Sequence, residues 1–574
     1  MVAGVGLAPR RIHMSRAFSS SRFANRLSLC AGTALLLGAC LDHPLKPVVY
    51  DKTTEDETTV AIAINKDVDI LFVIDNSGSM AEEQALLSKN FAAFIGVLEA
   101  EDVLANYRIG ITTTDSGNPR CPSAQYTPEG GNLVLSSCLD RVDQGEFTFN
   151  SDDFSKTCTD FCTKRNADLT VRGTATAVDS EEVPRKWIER IEKTSNIQGV
   201  ADNTEAFQCY GPQGVAGCGF ESHLESMYLA LAGAQSSKSK NNYGFLRDAA
   251  ILSIVFITDE ADCSYNPATK EIFTSNKVFW NDPDVDTAPT SAMCFKAGVE
   301  CSGQAPLYSE CHAQDFDSKG AKTTDPSAAV LQPVSKYIDF VKTIEDAKKD
   351  IDENQRVLIS LIAGVPIGYE TFEKEIPYED LPADDEYQLN FGIGPGCLLG
   401  DPNMPEATAV PPVREREFAE AFLDDPKTER NLYSICQDSY KGALESIATK
   451  IRDQIVPACM PSCVRDKDRS TPILDPNCKL IETDIKGVQT EIPRCTEVQG
   501  AWTAGNGATA CFATLIDKTG KETLSKIDNI SDYCNMEGFN LEFILVRSAP
   551  AAAGTTISAN CELSDNRGLD CPNL

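Results

Sequence analysis

Histidine is almost missing from this chain, with four in 574 residues. Basic side chains are also scarce, at 52 Lys and Arg against 85 Asp and Glu, for a formal charge of −33. Few imidazoles leave little for histidine-based acid–base catalysis or for histidine-rich zinc sites. The cation deficit excludes nucleic acid as a partner, because phosphate binding needs clustered Lys and Arg. There is no HExxH, no G-x-S-x-G and no pair of C-x-x-C motifs. Cys158-x-x-x-Cys162 and Cys459-x-x-x-Cys463 have no histidine half to complete a zinc site. GIGPG at Gly392–Gly396 does not join a strand to a helix, which argues against a nucleotide loop. Past the first forty residues no apolar run is long enough to cross a bilayer. An enzyme is therefore not expected, and a carboxylate-based hydrolase within the insertions described below is the remaining catalytic alternative.

Apolar residues make up 42% of the chain, enough for real cores. Arg10, Arg11, Arg16, Arg22 and Arg26 precede a short apolar stretch, Leu27 to Ala39, as in an export signal. The stretch closes on Leu37-Gly38-Ala39-Cys40, which resembles a bacterial lipobox. That resemblance implies lipidation at Cys40 and, with Leu41 following, an outer-membrane lipoprotein. The expected organisation starts with a signal over 1–39, followed by lipidated Cys40 and a polar, flexible tether over 40–64.

The 22 cysteines less Cys30 and Cys40 leave 20, an even number that suits disulfides formed in an oxidising compartment. They group as six from Cys121 to Cys218, four from Cys263 to Cys311, the pair Cys397 and Cys436, and eight from Cys459 to Cys571. Local pairing within each group is the simplest expectation, with connectivity left open.

One stretch organises the rest, VDILFVIDNSGSM at Val68–Met80. Its apolar run suits a strand buried on both faces. Asp75, Ser77 and Ser79 follow where the strand gives out, at the edge where open α/β sheets bind ligands. A carboxylate and two hydroxyls at alternate turn positions form a hard, oxygen-only cluster suited to Mg²⁺ or Mn²⁺. Asp75-x-Ser77-x-Ser79 after such a strand resembles the metal-ion-dependent adhesion site of von Willebrand factor type A (vWA) domains. The resemblance covers about Asp67 to Val456. It implies an α/β fold, a vWA/Rossmann-like and mostly parallel sheet with helices on both faces.

The remaining chain fits that expectation. Leu86, Leu87, Phe91, Phe94, Ile95 and Leu98 recur at helical spacing. YRIGITT at Tyr107–Thr113, AILSIVFI at Ala250–Ile257 and VLISLIA at Val357–Ala363 read as strands. Val334–Lys348 and Ser439–Ile455 read as helices, the latter closing a domain that spans 65–456. Insertions are expected over about 117–217, 263–333 and 364–412. The first reads as a stapled subdomain, with a helical stretch near Pro184–Ile191, emerging on the face of the metal loop. Thr114 and Asp115 read as ordinary turn chemistry, and His223 as a surface residue. Residues 457–574 read as a small, disulfide-rich and β-leaning domain with strands at Cys511–Ile516 and Leu541–Val546.

By resemblance, Asp259 in the run Thr258-Asp259-Glu260 is the third-loop aspartate that reaches the metal through water. The family's second-loop threonine has no counterpart here, and Glu221 or Ser222 stands nearest that position. Glu221 as a ligand would raise tolerance of Ca²⁺. The metal would then bridge this acidic chain to an acidic side chain of a protein partner. The expected function is metal-dependent protein binding or adhesion by a protein held to the membrane through its lipid. The alternative is a cell-envelope scaffold, stabilised by disulfides and metal, that seeks no carboxylate.

Overall fold

The structure, a computed structural model, describes residues 58–61, 66–100, 103–121, 127–191, 193–284, 286–351, 355–401, 404–455, 458–460, 462–483, 488–498, 500–505, 508–517, 523–536, 538–547 and 556–571. The export signal, Cys40 and most of the expected tether lie outside the described residues. Asp56–Leu574 forms one compact unit.

Its centre is a mixed α/β body around a seven-stranded, mostly parallel sheet. The strands in chain order are β1 Asp67–Ile74, β2 Asn106–Thr113, β3 Trp187–Ile191, β4 Thr194–Ser195, β5 Ile251–Ile257, β6 Val357–Ala363 and β7 Leu432–Ser434. In space they run β4-β3-β2-β1-β5-β6-β7. The five from β2 to β7 in that order are parallel, while β3 is antiparallel to β2 and β4 to β3.

The apolar run of β1 is continuous because the strand feeds two cores. Ile70, Phe72 and Ile74 point into one and Leu71 and Val73 into the other, all fully buried. The first core is closed by helices α1 Ala81–Leu98, α2 Asn203–Tyr210 and α6 Lys441–Gln454. There Phe72 meets Phe91, Phe94 and Phe207, with ring centroids 6.0, 5.7 and 5.3 Å away. The second core is closed by α3 His223–Ala234, α4 Val334–Lys349 and α5 Val413–Glu420.

The stretch expected to be helical near Pro184–Ile191 is instead strand β3. Trp187, Ile188, Glu189 and Arg190 are all buried, so both faces of the segment are covered, which suits a strand. Register decides it, since Glu189 stands opposite Arg108 on β2 and their side chains form a buried ion pair at 2.6 Å. The first insertion therefore completes the central sheet, and through α2 it adds Phe207 to the core. Three disulfides staple it, Cys121–Cys218, Cys138–Cys158 and Cys162–Cys209.

Each of the ten disulfides stays within its expected local group. Four of them lie in the C-terminal segment, which has its own core around Met460, Leu480, Phe512 and Phe543. The two strands expected there are Ala510–Leu515 and Glu542–Arg547, paired antiparallel. Thr58–Ala61, expected in the free tether, instead pairs antiparallel with Thr556–Cys561 at the edge of a four-stranded sheet. TTVA is β-branched enough to dock there, and docking satisfies its backbone groups.

Candidate functional site

The C-terminal ends of β1, β2 and β5 bring three loops to one edge of the sheet. Asp75, Ser77 and Ser79 follow β1. Asp75 and Ser77 are buried, and Ser79 is exposed. The Ser77 amide donates to Asp75 Oδ1 at 2.8 Å, and the Ser77 and Ser79 hydroxyls lie 3.3 Å apart. The chain then enters α1, whose Gln84 amide donates to the Asp75 carbonyl.

The second loop precedes α3. Its Gly217 amide donates to the Asn76 carbonyl at 2.8 Å, which fastens it to the first loop. Glu221 is wholly buried and accepts a hydrogen bond from the Thr114 hydroxyl at the end of β2. The Ser222 amide donates to the Thr114 carbonyl at 2.9 Å, while its hydroxyl is engaged by the Cys263 carbonyl at 3.2 Å. Glu221 thus faces the cluster, and the Ser222 hydroxyl is turned to another partner. Thr114 and Asp115 are buried beside this loop. Asp115 Oδ1 accepts the Gly117 amide, the turn chemistry expected of it, whereas the Thr114 hydroxyl reaches across to Glu221.

The third loop follows β5. There the Thr258 hydroxyl donates to Asp75 Oδ2 at 2.7 Å, and Asp259 is buried beside it. Across this edge the carboxylates outnumber the cations, and their proton affinities show it. Burial first, then Asp75, Glu260 and Asp115, pushes the Glu221 carboxyl well above its usual range. Burial, then Asp75, Glu83 and Glu260, does the same to Asp259. Burial and Asp75 push Glu260 up to about 8. Burial, then Glu82 and Asp75, pushes Glu83 to about 7.

His223, expected on the surface, has zero exposure. Its Nε2 lies 2.7 Å from the Thr258 hydroxyl oxygen, and its Nδ1 stands 3.0 Å from Glu415 Oε1 without hydrogen-bond alignment. Burial alone would pull its pKa down, but the contacts with Asp75 and Glu415 outweigh that and raise it to about 10. Its ring thus stands among Asp75, Asp262 and Glu415, at 3.8, 3.9 and 3.0 Å. Sequence reading missed it because its neighbours Glu221, Ser222 and Glu225 look solvent-facing. Glu415, far along the chain on α5, carries no local signal.

The oxygen-only donor set is of the type that a hard divalent cation takes. Glu221 Oε1 and Asp259 Oδ1 are buried and without a hydrogen-bond partner, on the two loops that flank Asp75. Orphaned buried carboxyl oxygens are costly unless something satisfies them. Among the described residues no three carboxylate oxygens of this edge lie within 4.8 Å of one another. A cation here would therefore draw on serine and threonine hydroxyls as well. Cys138, Cys158 and Cys162 do bring three sulfurs that close, but all three are in disulfides and offer no thiolate. At the rim, Phe149 of the first insertion is 40% exposed and lies over Gly78, where an added Cβ would stand 2.4 Å from its ring. The insertion thus reaches the Asp75–Ser79 loop.

No family model and no curated protein matches the sequence. Among solved structures the chain is similar to the pilus adhesin SpaC of Lactobacillus rhamnosus GG in its open conformation. That match has 9% identity and a TM-score of 0.26, over 88% of this chain and 40% of that one. A second form of SpaC gives 10% identity and a TM-score of 0.27 over the same shares. The chain therefore spans less than half of those structures, and TM-scores this low carry no argument about fold or function. The ten disulfides do fit an extracellular or cell-surface protein.

Proposed function

We propose that this chain is an extracytoplasmic binding protein whose strand-edge site takes a divalent cation, as a vWA domain does, and uses it to hold an acidic group of a protein partner. Asp75, Ser77 and Ser79 would hold the ion, with Glu221 and Asp259 supplying further oxygens. The bound ion would supply positive charge at an otherwise acidic edge. The observation that carries this reading is the pair of orphaned buried oxygens on Glu221 and Asp259. The order of the sheet and the placement of Asp75 at the end of its central strand support the vWA comparison. Mg²⁺ or Mn²⁺ suits the small hydroxyl-rich set, and Glu221 admits Ca²⁺. A lipid anchor at Cys40 and an outer-membrane location complete the proposal. No catalytic role is proposed.

Calorimetry on the full-length chain with Mg²⁺, Mn²⁺ and Ca²⁺ tests it. One site is expected in the wild type, lost in Asp75→Ala, and no binding in the wild type would end the proposal. A purely structural cation is the second reading, favoured by the depth of Asp75 and Glu221, both with zero exposure. That reading gains if Asp75→Ala lowers the melting temperature yet leaves binding to whole cells unchanged.

A further inference from the structure

The polar groups behind the site form a chain that reaches well beyond its loops. Asp75 is gripped at both oxygens, Oδ1 by the Ser77 amide at 2.8 Å and Oδ2 by the Thr258 hydroxyl at 2.7 Å. Thr258 has a single proton, and Asp75 takes it. The Thr258 oxygen also accepts the Glu260 amide at 3.1 Å. Its remaining neighbour, His223 Nε2, must then act as a donor. The other ring nitrogen of His223 faces two carboxylates, Glu415 at 3.0 Å and Asp262 at 3.9 Å. Both carboxylates are themselves placed by the fold. Glu415 is carried by α5. Asp262 accepts from Arg414 Nε at 3.0 Å, the Ser264 hydroxyl at 2.6 Å and the Leu224 amide at 3.2 Å. His223 is the first residue of α3, so its own position is fixed by that helix.

We propose that His223 is the positioning residue of the cation site, acting through Thr258 to fix the carboxylate of Asp75 in the orientation that receives the ion. This rests on the reading that the site takes a cation. With His223 present, the Thr258 proton has one destination. Without it, the hydroxyl is free to turn, and Asp75 Oδ2 loses its donor. Groups that orient a metal ligand in this way usually change affinity by about 10- to 100-fold when removed. A residue that only fills space would change stability and leave the affinity of the folded protein alone.

The test is Mg²⁺ calorimetry on the full-length wild type, His223→Leu, Thr258→Val, Thr258→Ser and the His223→Leu/Thr258→Val double variant, with circular dichroism to verify folding. Leucine has no donor to offer Thr258. Each of the first two variants is expected to weaken Mg²⁺ binding by about 10-fold. The double is expected to be no weaker than either, because both changes break one relay. Thr258→Ser keeps the hydroxyl and should retain wild-type affinity, so the threonine pair still decides the matter if His223→Leu does not fold. Wild-type affinity in His223→Leu or Thr258→Val, or losses that multiply to about 100-fold in the double, would overturn the proposal. A wild type that binds no Mg²⁺, Mn²⁺ or Ca²⁺ would instead remove the cation site itself, and this proposal with it.

Discussion

Gln84 on α1 holds the backbone carbonyl of Asp75 at 2.9 Å through its side-chain amide. The same amide donates to the Gly214 carbonyl at 2.8 Å, and its oxygen accepts the Gln213 amide at 2.7 Å. One fully buried side chain thus ties the loop after β1 to the end of the first insertion. Gln84→Ala would leave three buried backbone groups unpaired. We expect a loss on the order of 3 kcal/mol in urea unfolding. A change under about 0.5 kcal/mol, the scale of a surface substitution, would contradict this role.

Glu83, next to it, is expected to make stability depend on pH. Its folded pKa is about 7 against 4.5 for the ordinary group, raised by burial and then by Glu82 and Asp75. The folded chain therefore keeps a proton that the unfolded chain releases between those values. The stability this brings is complete below pH 4.5 and is lost as the pH climbs through about 7. In EDTA, urea midpoints should fall from pH 5 to pH 8. Glu83→Gln should flatten that fall by up to about 3 kcal/mol. Parallel curves for the two proteins would show that Glu83 does not titrate in this way.

Gly217 is where the second loop crosses the first. A Cβ there would stand 2.4 Å from Asn76 Oδ1 and 2.6 Å from the Asn76 carbonyl oxygen. Backbone cannot yield as a side-chain tip can, so Gly217→Ala should cost about 1–3 kcal/mol. Thermal melts would show it, and an unchanged melting temperature would mean that the loops are free to separate.

The Cys121–Cys218 disulfide closes a span of 97 residues just ahead of Glu221. Replacing both cysteines by serine frees that span in the unfolded chain, a cost of about 4–5 kcal/mol in the chain-entropy account. The double variant should melt well below the wild type under non-reducing conditions. Equal melting would place the stability of this insertion in β3 and α2 rather than in its staple.

The central strands were readable in the sequence because burial on both faces leaves no polar alternation. Ile70 to Ile74 carries that signature without interruption, and Ile251 to Ile257 with only Ser253 inside it. Strand β3 was not, because WIERI mixes an ion-pairing residue of each sign into a short segment. Only the partner strand shows that Arg108 neutralises Glu189. Thr58–Ala61 was hidden for a similar reason, since its partner strand lies near the other end of the chain.

The same division runs through the site. By itself the sequence placed Asp75, Ser77 and Ser79 together in one loop at the end of a buried strand, because they sit within five residues of one another. It also determined the cysteine grouping, because each disulfide closes within its own local cluster. Tertiary structure alone decided what surrounds Asp75. Thr114, Glu221 with His223, Thr258 and Glu415 come from four separate places in the chain. The sheet places the first three at one edge, and the packing of α5 on that sheet brings Glu415 to His223. A buried charge is defined by its neighbours in space, and a sequence records only its neighbours along the chain.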